Sequence, residues 1–275
     1  MANVRWMFAG MAGDFIMKNL KERVRKGETL FGCFLGLGSP LTAEIMGMAG
    51  YDWALIDLEH GAGDERETLH QLQAIEHTSA AAIIRVESNA RQRVHRVLDL
   101  GAHGVMFPRI DTVEQAREAV AAMRYPPHGV RGVAFANRAC EFGSSFRPYL
   151  EASKDSLLCV VQIETEAAVE NAEAIAAVDG VDVLFIGPSD LSQSMGILGE
   201  FQHPRFVEAV EKTKCAAAKS SKATGILLPK PEDFAFFYSQ GFRFLASGSD
   251  GVLLNNAARG LVRTLRESLQ KAQSQ

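Results

Sequence analysis

Two carboxylates, Glu164 and Asp190, follow two short apolar runs, residues 157–163 and 181–186. The runs read as buried parallel strands, and residues 166–178 between them carry alanines and valines at helical spacing. A strand–helix–strand unit of this kind lays its strands side by side, so Glu164 and Asp190 emerge at one end of one sheet. Carboxylates brought that close repel unless a positive charge stands between them. A hard divalent cation such as Mg²⁺ or Mn²⁺ takes oxygen ligands and leaves positions open for substrate and water. No His or Cys adjoins either residue, which argues against a closed zinc site. Each acid also has a plainer role: Glu164 could solvate a strand end, and Asp190 could cap the helix after Gly187-Pro188-Ser189. Their pairing at neighbouring strand ends, beside Gln162 and a Gly-Pro turn, favours the metal reading.

The elements that must position these residues repeat along the chain. Strands are expected at 31–37, 53–58, 81–86, 104–107 and 157–163, then at 181–187, 225–228 and 242–246. Helices are expected at 19–26, 40–49, 64–79, 91–100 and 112–123, then at 166–178, 204–219, 232–239 and 251–273. Asp64 and Asp111 read as N-caps of their helices, and Asp250 as the cap of the last one. Eight alternating strands with no dividing linker favour a single closed (β/α)₈ barrel of the TIM type over an open doubly wound sheet. No G-x-G-x-x-G follows the first strand, and neither a P-loop nor a G-x-S-x-G is present. Residues 125–156 form the longest irregular piece, containing P-P-H-G-V-R-G-V and N-R-A-C-E-F-G. The periodic sequence spans residues 18–275; residues 1–17 read as a poorly ordered extension or the product of an upstream start codon.

In such barrels chemistry sits at the C-terminal strand ends. The second strand delivers Asp57, Glu59 and His60, the third Arg85, the fourth Arg109, the fifth Gln162 and Glu164, and the sixth Ser189 and Asp190. A barrel that only had to fold would not require so many charges at its rim. His60 could be a plain loop histidine, but it follows a strand with two acids nearby. Arg85 could snorkel to water, or it could face an anion or enolate. Asp99, at the end of the 91–100 helix, opposes the helix dipole, yet on spacing alone it reads as a solvent-facing acid. No lysine stands at the mouth to form a Schiff base.

Composition narrows the classes further. Hydrophobic residues at 47% and charged residues at 23% are those of an ordinary globular chain. A net charge of −4 with no basic aromatic-interleaved stripe disfavours nucleic acid, and no run reaches membrane-spanning length. Cys33, Cys140, Cys159 and Cys215 lack metal-like or disulfide-like spacing, so reduced thiols and a cytoplasmic location are expected.

The pieces G-C-F-L-G-L-G-S-P, W-A-L-I-D-L-E-H, I-I-R-V and V-L-D-L-G-A-H-G-V-M-F-P are followed by Y-P-P-H-G-V-R-G-V, N-R-A, Q-I-E-T, G-P-S-D-L-S and G-S-D. In these pieces and in their order, over nearly its whole length, the chain resembles the HpcH/HpaI-type, metal-dependent (class II) pyruvate aldolase family. Leu58 departs from the family, which often has glycine before Glu-His. The resemblance implies a divalent metal (Mg²⁺, Mn²⁺ or Co²⁺) held by Glu164 and Asp190, with Gln162, Ser189 and Asp190 contacting a pyruvate moiety. It implies His60 as acid/base, Asp99 raising its basicity, and Arg85 stabilising an enolate. The expected reaction is retro-aldol cleavage of a 4-hydroxy-2-oxo acid to pyruvate and an aldehyde. Two alternatives stand beside it: a metal-dependent decarboxylase or acyl lyase acting for example on oxaloacetate, and a non-catalytic metabolite-binding barrel. The resemblance also implies a homohexamer that exchanges its last helix; aldehyde specificity is expected from residues 125–156 and other loops, of the same chain or of a neighbouring subunit, with residues 125–156 near a subunit boundary.

Overall fold

The computed structural model describes residues 18–274; residues 1–17, expected to be a poorly ordered extension, lie outside the described residues. The chain enters through α1 (Leu20–Arg25) and β1 (Leu30–Leu35), then alternates through α2 (Pro40–Met48), β2 (Trp53–Asp57), α3 (Glu65–Glu76) and β3 (Ala81–Arg85). It continues with α4 (Arg91–Asp99), β4 (Gly104–Phe107), α5 (Val113–Met123), a 3₁₀ turn (Arg138–Gly143), α6 (Phe146–Ser156) and β5 (Leu158–Ile163). Then come α7 (Glu166–Glu170), α8 (Ala172–Ala176), β6 (Val183–Ile186), α9 (Pro188–Ser194), α10 (Pro204–Lys219) and β7 (Ala223–Leu227). A second 3₁₀ turn (Pro231–Asp233), α11 (Phe234–Ser239), β8 (Phe244–Ser249) and α12 (Asp250–Gln273) complete it. The eight strands pair in sequence order, all parallel, and β8 returns to β1, so the sheet closes as the strand count predicts.

Two apolar shells hold the barrel. The outer shell, between strands and helices, runs from Cys33 and Ile56 through Ile84, Val105, Val161 and Ile186 to Leu245. The inner shell fills the lumen, so the barrel is a packed core rather than a pore. Trp53 stacks on Phe244 with ring centroids 4.2 Å apart, and Phe185 meets both edge-on at 6.4 Å. Gly32 makes room for that plug, since a Cβ there would lie 2.0 Å from the Trp53 ring.

Several local expectations change. The 166–178 helix is two short helices meeting at Asn171. Thr112, not Asp111, caps α5, its side chain accepting from the Gln115 amide in a reciprocal capping box. Ser249 caps α12; buried Asp250 instead accepts from the Gly36 and Leu37 amides at 2.9 and 3.3 Å and from the Thr42 hydroxyl at 2.8 Å. It thereby ties the start of α12 to the loop after β1.

Residues 125–156 hold the first 3₁₀ turn and α6, and they lie at the base of the barrel. Each helix of a parallel strand–helix unit runs back against the strands, so a segment joining a helix to the next strand falls at the strands' N-terminal end. The piece between α5 and β5 is such a segment. Its Arg131 is buried against Tyr125 and Tyr149, 4.6 and 5.3 Å from their ring centres. Arg138 donates to the Leu100 carbonyl at 2.7 Å and pairs with Glu76. The segment expected to set aldehyde specificity therefore sits at the opposite pole from its own barrel's mouth, which leaves only the mouth of a neighbouring subunit for it to border.

Candidate active site

Asp57, the last residue of β2, organises the mouth. One oxygen accepts from Arg85 Nε at 2.9 Å and the other from Arg85 Nη2 at 2.7 Å, a bidentate buried pair. The same carboxylate accepts from the Glu59 and His60 amides at 3.1 and 3.3 Å, which folds the D-L-E-H-G turn over the strand end. Gly61 is needed there, because a Cβ would lie 2.1 Å from the Asp57 carbonyl oxygen.

Arg85 then links the strands. Its Nη1 stands 3.0 Å from Glu59 Oε2 and donates to Gln162 Oε1 at 3.4 Å, while its guanidinium lies 5.3 Å from the Phe34 ring centre. Gln162 Nε2 donates to Glu164 Oε2 at 2.9 Å, and the Arg109 amide donates to Glu164 Oε1 at 2.7 Å. Gly187 leaves space for this carboxylate, since a Cβ there would lie 2.6 Å from Glu164 Oε2. Asp190 and Ser189 occupy the first turn of α9, both exposed, behind Gly187 and Pro188. Asp190 is thus inside the helix rather than its cap.

Electrostatics follow from this packing. Burial pushes the Glu164 carboxyl up to about 7; the Arg109 amide opposes the shift, and Asp190 and Glu59 add to it. Burial likewise raises the Glu59 carboxyl, against the pull of Arg85 and His60. A carboxylate held in an apolar mouth beside two others is relieved by a cation. Among the described residues no group of three or more His, Cys, Asp or Glu side chains converges to hold a metal. Glu164 and Asp190 therefore fit an ion that keeps most of its positions for substrate and water, as Mg²⁺ does, and do not fit a closed cage.

Of the residues expected in the site, His60, Arg85, Gln162, Ser189, Glu164 and Asp190 all stand at the strand C-termini. Asp99 does not. It closes α4 at the base of the barrel and accepts from Arg131 Nη2 at 2.7 Å. The carboxylate beside His60 in the same chain is Glu59, at 3.7 Å, with the imidazole largely exposed. Asp57 and Glu59 were visible in the sequence as strand-end acids without a role; their spacing in D-L-E-H, two residues apart across a turn, is the signal that they act together on Arg85.

A family model described as HpcH/HpaI aldolase/citrate lyase matches residues 30–257. The chain belongs to this family. With that membership it is an enzyme, an aldolase-type lyase. It is 38% identical over 241 residues to 5-keto-4-deoxy-D-glucarate aldolase of Klebsiella pneumoniae, covering 88% of this chain and 94% of that one. Among solved structures it is similar to an HpcH/HpaI aldolase/citrate lyase family protein from Burkholderia cenocepacia J2315, with a TM-score of 0.86 and 37% identity. That match covers 90% of this chain and 99% of the other. It is also similar to the citrate synthase SbnG, with a TM-score of 0.81 and 27% identity, covering 93% and 99%.

Proposed function

We propose that the chain cleaves a 4-hydroxy-2-oxo acid to pyruvate and an aldehyde by a divalent-metal-dependent retro-aldol reaction. The observation that carries this reading is the continuous run of contacts Asp57–Arg85–Gln162–Glu164 across the mouth, with Asp190 near enough to add to the upward shift of the Glu164 carboxyl. Glu164 and Asp190 would hold Mg²⁺, Mn²⁺ or Co²⁺, which supplies Lewis acidity to the 2-oxo group. Gln162, clamped between Arg85 and Glu164, presents a fixed amide to the pyruvate half, and Ser189 adds a hydroxyl from α9. Arg85 is held on one edge by Asp57, and its Nη1, which meets Glu59 and Gln162, would turn from them to the oxygen on which enolate charge develops. His60, exposed at the rim, takes the proton of the C4 hydroxyl directly or through water as the C3–C4 bond breaks.

Asp99 can serve His60 only from a second copy, because within one chain the two lie at opposite poles. Two surfaces support an oligomer. In α12 only Asp250 is buried, and Leu253, Leu254, Leu261, Val262, Leu265 and Leu269 are all exposed along a helix about 36 Å long. At the base, Val130, Val133, Phe135 and Phe142 are exposed beside Asp99 and Arg131. A homohexamer with α12 laid on a neighbouring barrel, and one subunit's base against another's mouth, accommodates both. The location we assign is the cytoplasm, in keeping with four free cysteines; among the described residues no helix is long and apolar enough to cross a membrane.

The test is turnover with and without chelator. 5-Keto-4-deoxy-D-glucarate is the first substrate to try, with pyruvate release as the readout. Activity should vanish in chelator and return with Mg²⁺, Mn²⁺ or Co²⁺; undiminished turnover in excess chelator refutes the metal-dependent reading. Oxaloacetate turned over faster than any hydroxy-oxo acid would instead favour a decarboxylase.

A further inference from the structure

Arg131 is poorly explained as a stability device. It is 1% exposed, packed between the rings of Tyr125 and Tyr149. Its Nη1 and Nη2 both donate to the Tyr149 hydroxyl at 3.1 Å, and Nη2 also donates to Asp99 Oδ1 at 2.7 Å. Its Nε is buried with no partner among the described residues. A buried cation with an orphaned donor is less stabilising than a well-packed apolar side chain of similar size. The backbone nevertheless pins the residue in place. The Val130 amide donates to the Ala121 carbonyl at 2.8 Å, and the Arg131 amide to the Arg124 carbonyl at 2.9 Å.

What this arrangement does is fix Asp99. That acid closes α4, where the carbonyl end of the helix disfavours a negative charge. Arg131 is its only ionic partner among the described residues. Tyr125, Tyr149 and Cys140 also lie within its field; burial raises all three, so of these four neighbours the guanidinium alone is charged. The carboxylate is gripped by one oxygen. Its Oδ2 has no hydrogen-bond partner among the described residues, and the side chain is 22% exposed. Val130, Val133, Phe135 and Phe142 stand exposed on the same segment. Asp99 thus offers one oriented acceptor beside an apolar patch, where covering by another chain would strengthen a hydrogen bond to it.

We infer that Arg131 is a positioning residue for proton transfer at a neighbouring mouth: it fixes Asp99 so that Oδ2 accepts from the imidazole of His60 of the partner subunit. This rests on the retro-aldol reading with Asp99 acting across a subunit boundary. It extends the logic of a catalytic base oriented by a third group to a fourth residue that orients the third. Each active site then takes its mouth from one chain and its Arg131–Asp99 pair from another.

The test sorts variants by complementation. Arg131→Lys keeps the charge and removes the fork, so one nitrogen has to serve both Tyr149 and Asp99. Alone it should lower kcat on 5-keto-4-deoxy-D-glucarate by about 10- to 100-fold, the scale of a misplaced group, with KM nearly unchanged. Co-expressed with His60→Ala, it should regain about a quarter of the wild-type rate, since random assembly sets an intact mouth on an intact pair at one site in four. Co-expressed with Asp99→Asn it should regain nothing, because no chain in that mixture carries an intact pair.

Mixed oligomers of His60→Ala and Asp99→Asn separate the two failures. If these stay inactive, or the wild type turns over no hydroxy-oxo acid, the underlying reading fails and the inference falls with it. If they regain activity, the reading stands, and three results each remove Arg131 from it: a wild-type kcat for Arg131→Lys, no rescue by His60→Ala, or rescue by Asp99→Asn. Should Arg131→Lys not fold, Tyr149→Phe replaces it, removing the hydroxyl that holds both nitrogens. That variant should lose about 3- to 10-fold in kcat in the wild-type background and nothing further in Asp99→Asn. Equal losses in both backgrounds, or none in either, overturn the inference.

Discussion

Asp57→Asn isolates the residue that holds the mouth together without touching the proposed metal position. Both partners of the Asp57–Arg85 pair are nearly buried, with side-chain exposures of 7% and 9%. Asparagine keeps one carbonyl oxygen for the Glu59 and His60 amides but turns an NH₂ group toward the Arg85 fork, replacing a charge-assisted bond with two facing donors. Removing one partner of a buried pair costs roughly 3–5 kcal/mol, and the surviving acceptor places this variant near the lower end, at about 3 kcal/mol. In a barrel of this size that is a fall in Tm of roughly 6–12 °C. Arg85 would then lose its Nη2 anchor, keep Nε on the surviving oxygen, lean harder on Glu59 and Gln162, and shift its Nη1 edge. A displacement near an ångström at a reacting centre costs about 10²-fold. The assays are thermal unfolding and coupled detection of pyruvate, with Mn²⁺ affinity as the control. The reasoning predicts a lower Tm and a kcat reduced about 10²-fold, with Mn²⁺ affinity within a few fold of wild type. A variant with wild-type Tm and kcat would show that the clamp does not position Arg85.

Three further outcomes are expected. Glu164 is pushed up to about 7, so the metal-free folded protein binds a proton there more tightly than the unfolded chain; this residue's contribution to apo stability falls as pH rises from about 4.5 to 7. Mn²⁺ must displace that proton, so calorimetry should show proton release and a weaker apparent Kd at pH 6 than at pH 8, and a pH-independent Kd would contradict it. His60→Ala should lose about 10²–10⁴-fold in rate while Asp99→Asn loses less, and mixed oligomers of the two variants should regain activity if Asp99 acts across a subunit boundary. Light scattering should return a mass well above the monomer's at micromolar concentration, and Leu261→Glu with Leu265→Glu on α12 should lower it; a monomeric wild type would contradict the assembly.

Much of this was legible in the residues themselves. Strand–helix alternation is a local pattern, because each strand of a parallel barrel is buried on both faces and reads as a short apolar run. Leu158–Ile163 and Val183–Ile186 are such runs, and Q-I-E-T and G-P-S-D at their ends announced Glu164 and Asp190. Closure followed from the number of strands. Chain direction in a strand–helix unit then decides which turns reach the mouth, so His60, Arg85, Gln162 and Ser189 were assignable to one rim from order alone.

What the sequence could not decide was which groups of that rim are already paired, and with whom. Asp57 and Glu59 are equally acidic on paper, yet one clamps Arg85 through both oxygens and the other stands between Arg85 and His60. The base segment 125–156 looked like an active-site loop because it is long and rich in Pro, Gly and Arg. Its placement after a helix rather than after a strand sends it to the other pole, and its Arg131 binds Asp99 there. Pairing depends on where side chains from distant strands converge, and that convergence is set by the closure of the sheet. The identity of Asp57 or Asp99 is a property of the sequence; whether each is clamped at the mouth or remote from it is a property of the barrel.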